Sequence, residues 1–139
     1  MSQNFNFIGY IETPYNSLAE CPKNISFNGP LCKLFINDDL KTEIKGLKID
    51  QKIMVLYFLG DKEDSTIELK PIKKCPHSHN KDLGIFAKRS PHRPNPIGVA
   101  ILPIVDIDFD KGIIYVKGLD CLNKTKLLDI KPAIYLENE

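Results

Sequence analysis

Short apolar runs, each ended by proline, glycine or polar residues, recur along the chain. Runs of about four to eight apolar or alternating residues between such breakers are typical of β-strands. Residues 127–135 are also expected to be extended, because Pro132 blocks a helix there. Pro103 cannot donate to a neighbouring strand, which restricts its segment to a sheet edge or a bulge. The predicted strands cover residues 5–11, 31–36, 52–59, 66–70, 84–87, 97–106 and 113–117.

Residues 37–45 are the best helix candidate. Asn37 suits the N-cap position and Gly46 suits the position just after the last helical residue. Leu40, Ile44 and Leu47 recur at helical spacing, so we expect this helix to lie against the body of the protein.

A long irregular segment over residues 71–83 separates the fourth and fifth predicted strands. About seven short strands with frequent turns favour a sandwich or barrel over a doubly wound fold. We therefore predict an all-β protein, a small closed or nearly closed β-barrel with one short helix and one long cationic loop. The length of 139 residues suits a single domain over residues 1–139.

Charge is distributed unevenly along the chain. The 19 Lys and Arg nearly balance the 18 Asp and Glu, giving a net charge of +1. Residues 70–93 nevertheless contain seven basic residues and one acidic residue, or +6, which leaves −5 for the remainder. Both arginines and all three histidines lie in this segment. It is either a ligand-binding loop or a solvated lysine-rich loop.

The N-terminus has no basic start and no long apolar stretch, so no signal peptide is expected. The longest apolar run, residues 53–59, is too short to span a bilayer. Four cysteines are widely spaced with no Cys-x-x-Cys pair, which favours reduced thiols and a cytoplasmic location.

The segment 84–98 has the densest set of polar groups. Three prolines stiffen it, and a stiff loop holds its side chains in fixed directions at low entropic cost. Arg89 and Arg93 both lie in it, although the chain uses lysine at its other 17 basic positions. A guanidinium takes a carboxylate or phosphate in two parallel hydrogen bonds. The alternative is a rigid structural crossover between strands.

A second candidate segment covers residues 118–132. Leu119 to Leu122 can present backbone donors and acceptors to a purine edge, as a neighbouring strand would. Asp129 and Lys131 flank Ile130 and share one side of an extended chain. The alternative for these two is a surface ion pair.

Cys75, His77 and His79 suggest a zinc corner, because thiolate and imidazole are zinc ligands. The spacing does not match a zinc finger, so a solvated loop is the favoured interpretation. The chain also lacks a phosphate-binding glycine-rich loop and a dinucleotide fingerprint, which disfavours a Rossmann-type enzyme.

The segment Gly84-Ile-Phe-Ala-Lys-Arg-Ser-Pro-His-Arg-Pro-Asn-Pro-Ile-Gly98 closely resembles the signature of the TsaA-like (TrmO) family. Gly118-Leu-Asp-Cys-Leu122 and Leu128-Asp-Ile-Lys-Pro132 resemble its second and third blocks, in the same order. Ile8-Gly-Tyr-Ile-Glu-Thr-Pro-Tyr15 resembles its first strand and turn. The resemblance covers essentially the whole chain.

The resemblance implies a β-barrel that binds S-adenosylmethionine (SAM) as a homodimer and methylates N6 of threonylcarbamoyl-adenosine 37 in tRNA. The chain departs from the family at Leu59, where histidine is frequent. The alternative is a SAM-binding protein that methylates another substrate or senses SAM. By motif match, the implied cofactor contacts are Cys21, Pro22, Lys23, Leu59, Gly60, Arg89, Leu119, Asp120, Cys121 and Leu122.

For the substrate, we expect cationic side chains of residues 70–93 to contact tRNA phosphates. The predicted substrate-binding residues are Lys88, His92 and Arg93. The predicted catalytic residues, which would orient the base or accept a proton, are Asn95, Asp129 and Lys131.

Overall fold

Burial alternates along the strands and directs every second side chain into one core. In the computed structural model, which describes residues 5–60 and 83–134, Cys32, Leu34 and Ile36 of one strand are buried while their neighbours are not. This period of two is the consequence of strand geometry. The strands are β1 (Gly9–Glu12), β2 (Leu31–Ile36), β3 (Lys52–Phe58), β4 (Ile97–Pro103), β5 (Asp106–Asp108), β6 (Ile113–Lys117) and β7 (Thr125–Pro132).

All seven strands belong to one antiparallel sheet with the order β4-β3-β7-β1-β2-β6-β5. Only Ile104 and Val105 connect β4 at one edge to β5 at the other. Such a link spans at most about 11 Å, so the sheet must roll until its two edges approach each other.

The all-β prediction is confirmed, and the prediction of a closed or nearly closed barrel is confirmed only in part. Among the described residues, the edge strands β4 and β5 do not pair with each other. The sheet is therefore rolled but not closed by hydrogen bonds.

Several strand boundaries match the sequence prediction. The strands predicted over 31–36 and 113–117 are β2 and β6, and the run 52–59 ends one residue earlier as β3. Pro103 ends β4 at a sheet edge, as predicted. The first strand is later than expected, Gly9–Glu12 instead of 5–11. The extended C-terminal segment begins at Thr125 and lies in the middle of the sheet. The strand predicted over 66–70 lies outside the described residues.

The helix predicted over residues 37–45 is wrong. The segment contains only a 3-10 turn, Lys41–Ile44. The side-chain amide of Asn37 donates to the carbonyl oxygen of Phe7 at 3.0 Å, so it ties the chain to the segment before β1 instead of capping a helix.

Two further strand predictions are corrected. Residues 84–87 contain a 3-10 turn, Ile85–Ala87, in which the Phe86 side chain is 80% exposed and no neighbouring strand is paired. The single strand predicted over 97–106 is divided between β4 and β5, which lie at opposite edges of the sheet. No helix among the described residues is long and apolar enough to cross a membrane.

Candidate functional site

A cavity of ≈ 1320 Å³ opens at one end of the sheet. The C-terminal end of β3 and the N-terminal ends of β4 and β7 meet there, because both of these strands run antiparallel to β3. Three loops complete the wall, and they contribute residues 21–25, residues 88–93 with Asn95, and residues 120–122.

The proline-rich loop before β4 is held by its own arginines. Arg93 Nη1 donates to the carbonyl oxygens of Lys88 and Ser90, at 2.9 and 3.3 Å. Arg89 Nη2 donates to the carbonyl oxygen of Val99 at 2.9 Å, on the unpaired edge of β4. Each guanidinium has five donors, so both arginines keep further donors for a ligand.

The loop after β6 is fixed at both ends. Gly118, with φ of 83°, begins it, and a Cβ at this position would lie 1.5 Å from the carbonyl oxygen of Ser26. The buried Thr13 hydroxyl donates to the carbonyl oxygen of Cys121 at 2.8 Å, and the Thr125 hydroxyl donates to that of Leu122 at 2.7 Å. Within residues 5–60 and 83–134, no group accepts a hydrogen bond from the amide of Asp120 or Leu122.

Tyr57 connects the β3 wall to this loop. Its side chain is 3% exposed, and its hydroxyl donates to Asp120 Oδ1 at 2.9 Å. Burial, followed by the charge of Asp120, raises the pKa of Tyr57, so the phenol stays protonated and remains a donor.

The thiols at the cavity are protonated near neutral pH. Burial raises the pKa of Cys121 to about 12, despite the opposing hydrogen bond from Thr125. Burial also raises the pKa of Cys21. Because the thiolate is the nucleophilic form, neither thiol is activated for nucleophilic attack.

The cavity is cationic. Its described lining contains one acidic side chain, that of Asp120. The basic side chains in the same lining are Lys23, Lys88, Arg89, Arg93 and Lys126.

The structure brings nine of the ten predicted cofactor contacts together at the cavity. Leu119 is the exception, because its side chain is fully buried in the core. The nine that line the cavity are Cys21, Pro22, Lys23, Leu59, Gly60, Arg89, Asp120, Cys121 and Leu122.

The predicted substrate and catalytic residues are divided between two places. Lys88, His92, Arg93 and Asn95 line the cavity. Asp129 and Lys131 do not, and they form an ion pair of 2.9 Å with half-exposed side chains. Both lie further along β7 than Thr125 and Lys126, the two residues of that strand in the cavity lining.

Sequence reasoning missed Tyr57, Ile25 and Lys126, which also line the cavity. A signal existed only for Tyr57, since a tyrosine at the end of a buried apolar run usually has a partner for its hydroxyl. Lys126 reaches the site through the pairing of β7, which local sequence does not specify, and Ile25 reaches it through the loop before β2.

The suggested metal ligands Cys75, His77 and His79 lie outside the described residues. In the ranges 5–60 and 83–134, no group of three or more His, Cys, Asp or Glu side chains is arranged to hold a metal ion.

Similar proteins were found by sequence. A probable S-adenosyl-L-methionine-binding protein, VirR of Rhizobium radiobacter, is 36% identical over 126 residues, which cover 91% of this chain and 68% of VirR. A probable S-adenosyl-L-methionine-binding protein of Archaeoglobus fulgidus is 33% identical, over 90% of this chain and 32% of that protein. The tRNA (adenine(37)-N6)-methyltransferase of Rattus norvegicus is 26% identical, over 91% of this chain and 30% of that enzyme.

The fold is also similar to a solved structure. TrmO from Pseudomonas aeruginosa matches with a TM-score of 0.69 and 23% identity, over 96% of this chain and 57% of that one. The chain thus spans about three fifths of that protein and about a third of the archaeal and rat proteins. The family model described as the tRNA-methyltransferase O N-terminal domain matches residues 10–138. Because that match covers nearly the whole chain, the chain belongs to the TrmO family.

Proposed function

We propose that the chain binds SAM in the cavity and uses it as a methyl donor. The observation that carries the proposal is the convergence of nine predicted contacts, from four separate segments, on one cavity. When bound, SAM supplies a methyl group that its sulfonium has already activated.

The lining fits the chemistry of SAM. The guanidinium of Arg89 suits its carboxylate, and the Asp120 carboxylate suits its ammonium or ribose hydroxyl groups. Ile25 and Leu59 provide apolar contact for an adenine ring. The unpaired amides of Asp120 and Leu122 are available to acceptor atoms of that ring.

The proposed acceptor is N6 of threonylcarbamoyl-adenosine 37 in tRNA. The cavity exceeds the roughly 300–1,000 Å³ of ordinary small-molecule sites, so it has room for a base beside the cofactor. An unpaired anticodon-loop base needs little energy to be displayed. Lys88, His92 and Arg93 would face the phosphates, and Asn95 would orient the base.

Catalysis in this arrangement is mainly positioning, because holding the two reactants in line replaces an encounter in solution. The stiff proline loop presents Arg89 and Asn95 on the same cavity wall. Asp129 and Lys131 are left out of the proposed mechanism, since they pair with each other away from the cavity.

The second candidate is a SAM-binding protein with a different methyl acceptor, or a SAM sensor. The proteins from Rhizobium and Archaeoglobus support it, because their names specify SAM binding alone.

Calorimetry with SAM and salt-dependent tRNA binding test the proposal together. We expect Arg89→Ala to weaken SAM binding about tenfold or more, whereas Lys117→Ala, at the exposed last residue of β6, leaves it unchanged. tRNA affinity should fall steeply with salt because phosphate contacts release counterions. Purified protein with SAM should methylate tRNA from cells that lack the gene, as read by mass spectrometry.

The outcomes separate the two candidates. No SAM binding by the wild-type protein contradicts both. SAM binding without salt-sensitive tRNA affinity, and without any change in the tRNA modification profile of a deletion strain, contradicts the tRNA activity and favours the second candidate.

The proposal includes a second copy of the chain as partner. The face of β3 and β4 that points away from the core has four half-buried apolar side chains, which we name the outer apolar patch: Met54, Leu56, Val99 and Ile101. Soluble proteins cover contiguous apolar surface of this kind at interfaces.

A further inference from the structure

The Tyr57 hydroxyl is a buried polar group near the end of β3, in a run that is otherwise apolar from Ile53 to Phe58. A buried hydroxyl without a hydrogen-bond partner is unfavourable, and among the described residues the partner of this hydroxyl is Asp120 Oδ1, at 2.9 Å. A phenylalanine would fill the same space without needing that partner. The hydrogen bond to Asp120 is therefore the feature that distinguishes tyrosine from phenylalanine at this position.

Asp120 lies in the loop between β6 and β7, outside any strand. A carboxylate in a loop samples several side-chain rotamers unless a partner fixes it. Tyr57 holds Oδ1. In the described part of the chain, no group donates a hydrogen bond to the other carboxylate oxygen.

The Tyr57 ring is itself fixed, so the hydroxyl is a stationary donor. Gly98 is its cross-strand neighbour on β4, and a Cβ on Gly98 would lie 2.3 Å from the ring. The ring therefore lies against Gly98, and its hydroxyl reaches Asp120 in the loop after β6.

Asp120 is also the sole acidic side chain in the described lining of a cationic cavity. Its carboxylate is therefore the one anionic acceptor in that lining for an ammonium or hydroxyl group of a ligand. The strength of such a hydrogen bond depends on the orientation of the carboxylate, because hydrogen bonds weaken steeply when they are misaligned.

We propose that Tyr57 is a positioning residue, which holds the Asp120 carboxylate so that its free oxygen accepts a hydrogen bond from the ammonium or a ribose hydroxyl of the bound nucleoside cofactor. This inference rests on the proposed function, since it takes SAM as the ligand. It assigns to Tyr57 a role in affinity without contact to the reacting atoms.

A double-mutant cycle in SAM affinity tests the inference. Tyr57→Phe keeps the ring against Gly98 and removes only the hydroxyl, so we expect normal folding and about tenfold weaker SAM binding. In an Asp120→Asn background the same substitution should cause no further loss. Tyr115→Phe, on β6 and away from the cavity, is the matched control and should bind SAM like the wild type.

A merely structural role for Tyr57 gives a different result. If Tyr57→Phe weakens SAM binding by the same factor with and without the Asp120 carboxylate, or not at all, the inference is overturned. Comparing SAM with 5′-methylthioadenosine, which lacks the amino-acid part, locates the contact. A loss with SAM alone assigns it to the ammonium, and a loss with both ligands assigns it to the ribose.

A measurement without ligand keeps the inference separate from the proposed function. In the free protein, the carbon-13 resonance of the Asp120 carboxyl group should differ between wild type and Tyr57→Phe. An unchanged resonance overturns the inference even if SAM binds. Failure of the wild-type protein to bind SAM overturns the proposed function and, with it, the role assigned to Tyr57 in cofactor affinity.

Discussion

At the scale of single residues, Gly98 shows how one missing side chain shapes the cavity. A methyl group there would meet the Tyr57 ring at 2.3 Å, closer than van der Waals contact allows. We expect Gly98→Ala to displace the ring, weaken the hydrogen bond to Asp120 and lower the free energy of unfolding by about 1–3 kcal/mol in urea titrations. Gly84→Ala is the control, because nothing lies within 4 Å of its added methyl group. It should change stability by less than about 1 kcal/mol. Equal stability of the two variants would contradict the close fit at Gly98.

At the scale of elements, the loop after β6 depends on a contact with the residue that follows β1. The Thr13 side chain is 5% exposed and its hydroxyl donates to the Cys121 carbonyl oxygen, while its backbone amide donates to Asn123 Oδ1 at 3.2 Å. Thr13→Val keeps the shape but leaves the buried carbonyl without its donor. We expect a loss of about 1–3 kcal/mol in unfolding free energy and faster hydrogen exchange at Asn123 and Lys124, whose amides donate to the carbonyl oxygens of Tyr15 and Ile11.

The control for that prediction is Thr42→Val, at an exposed position, which should alter stability by no more than about 0.5 kcal/mol. If Thr13→Val left both stability and the exchange rates of the loop amides unchanged, the loop would be held by other contacts, such as the Thr125 hydroxyl on Leu122.

The elements also show which parts of the fold can be predicted from local sequence. Strands β2 and β6 follow from alternation and turn residues, both of which are local. The helix over 37–45 failed because Asn37 bonds to Phe7, 30 residues earlier in the chain. The motifs in segments 84–98 and 118–132 predicted most of the site residues, because the residues of each motif are contiguous in the sequence. Tyr57 joins Asp120 across 63 residues, and only the central position of β7 brings those segments together.

At the scale of the whole molecule, the outer apolar patch has the features of an interface between two copies of the chain. Val99 pairs with Leu56 and Ile101 pairs with Met54 across β4 and β3, which gives two adjacent apolar rows. Asp129 and Lys131 are the next residues in these rows, on β7. A twofold axis brings the same patch of each copy together, and such an arrangement allows the Asp129 of one copy to face the Lys131 of the other. An apolar centre with a charged rim is the usual anatomy of protein interfaces.

Light scattering coupled to size exclusion tests this dimer. We expect the wild-type protein to elute at twice the chain mass, and Ile101→Glu to elute at the monomer mass, because a carboxylate buried without a partner opposes association. Ile49→Glu, at a 56% exposed isoleucine outside the patch, should remain dimeric.

Circular dichroism that matches the wild type would show that Ile101→Glu still folds, as expected for a side chain that points away from the core. A wild-type protein that stays monomeric with SAM present, or an Ile101→Glu variant that stays dimeric, would contradict a dimer built on this patch. Comparing the SAM affinity of the monomeric variant with that of the wild type then decides whether one copy alone completes the cofactor site.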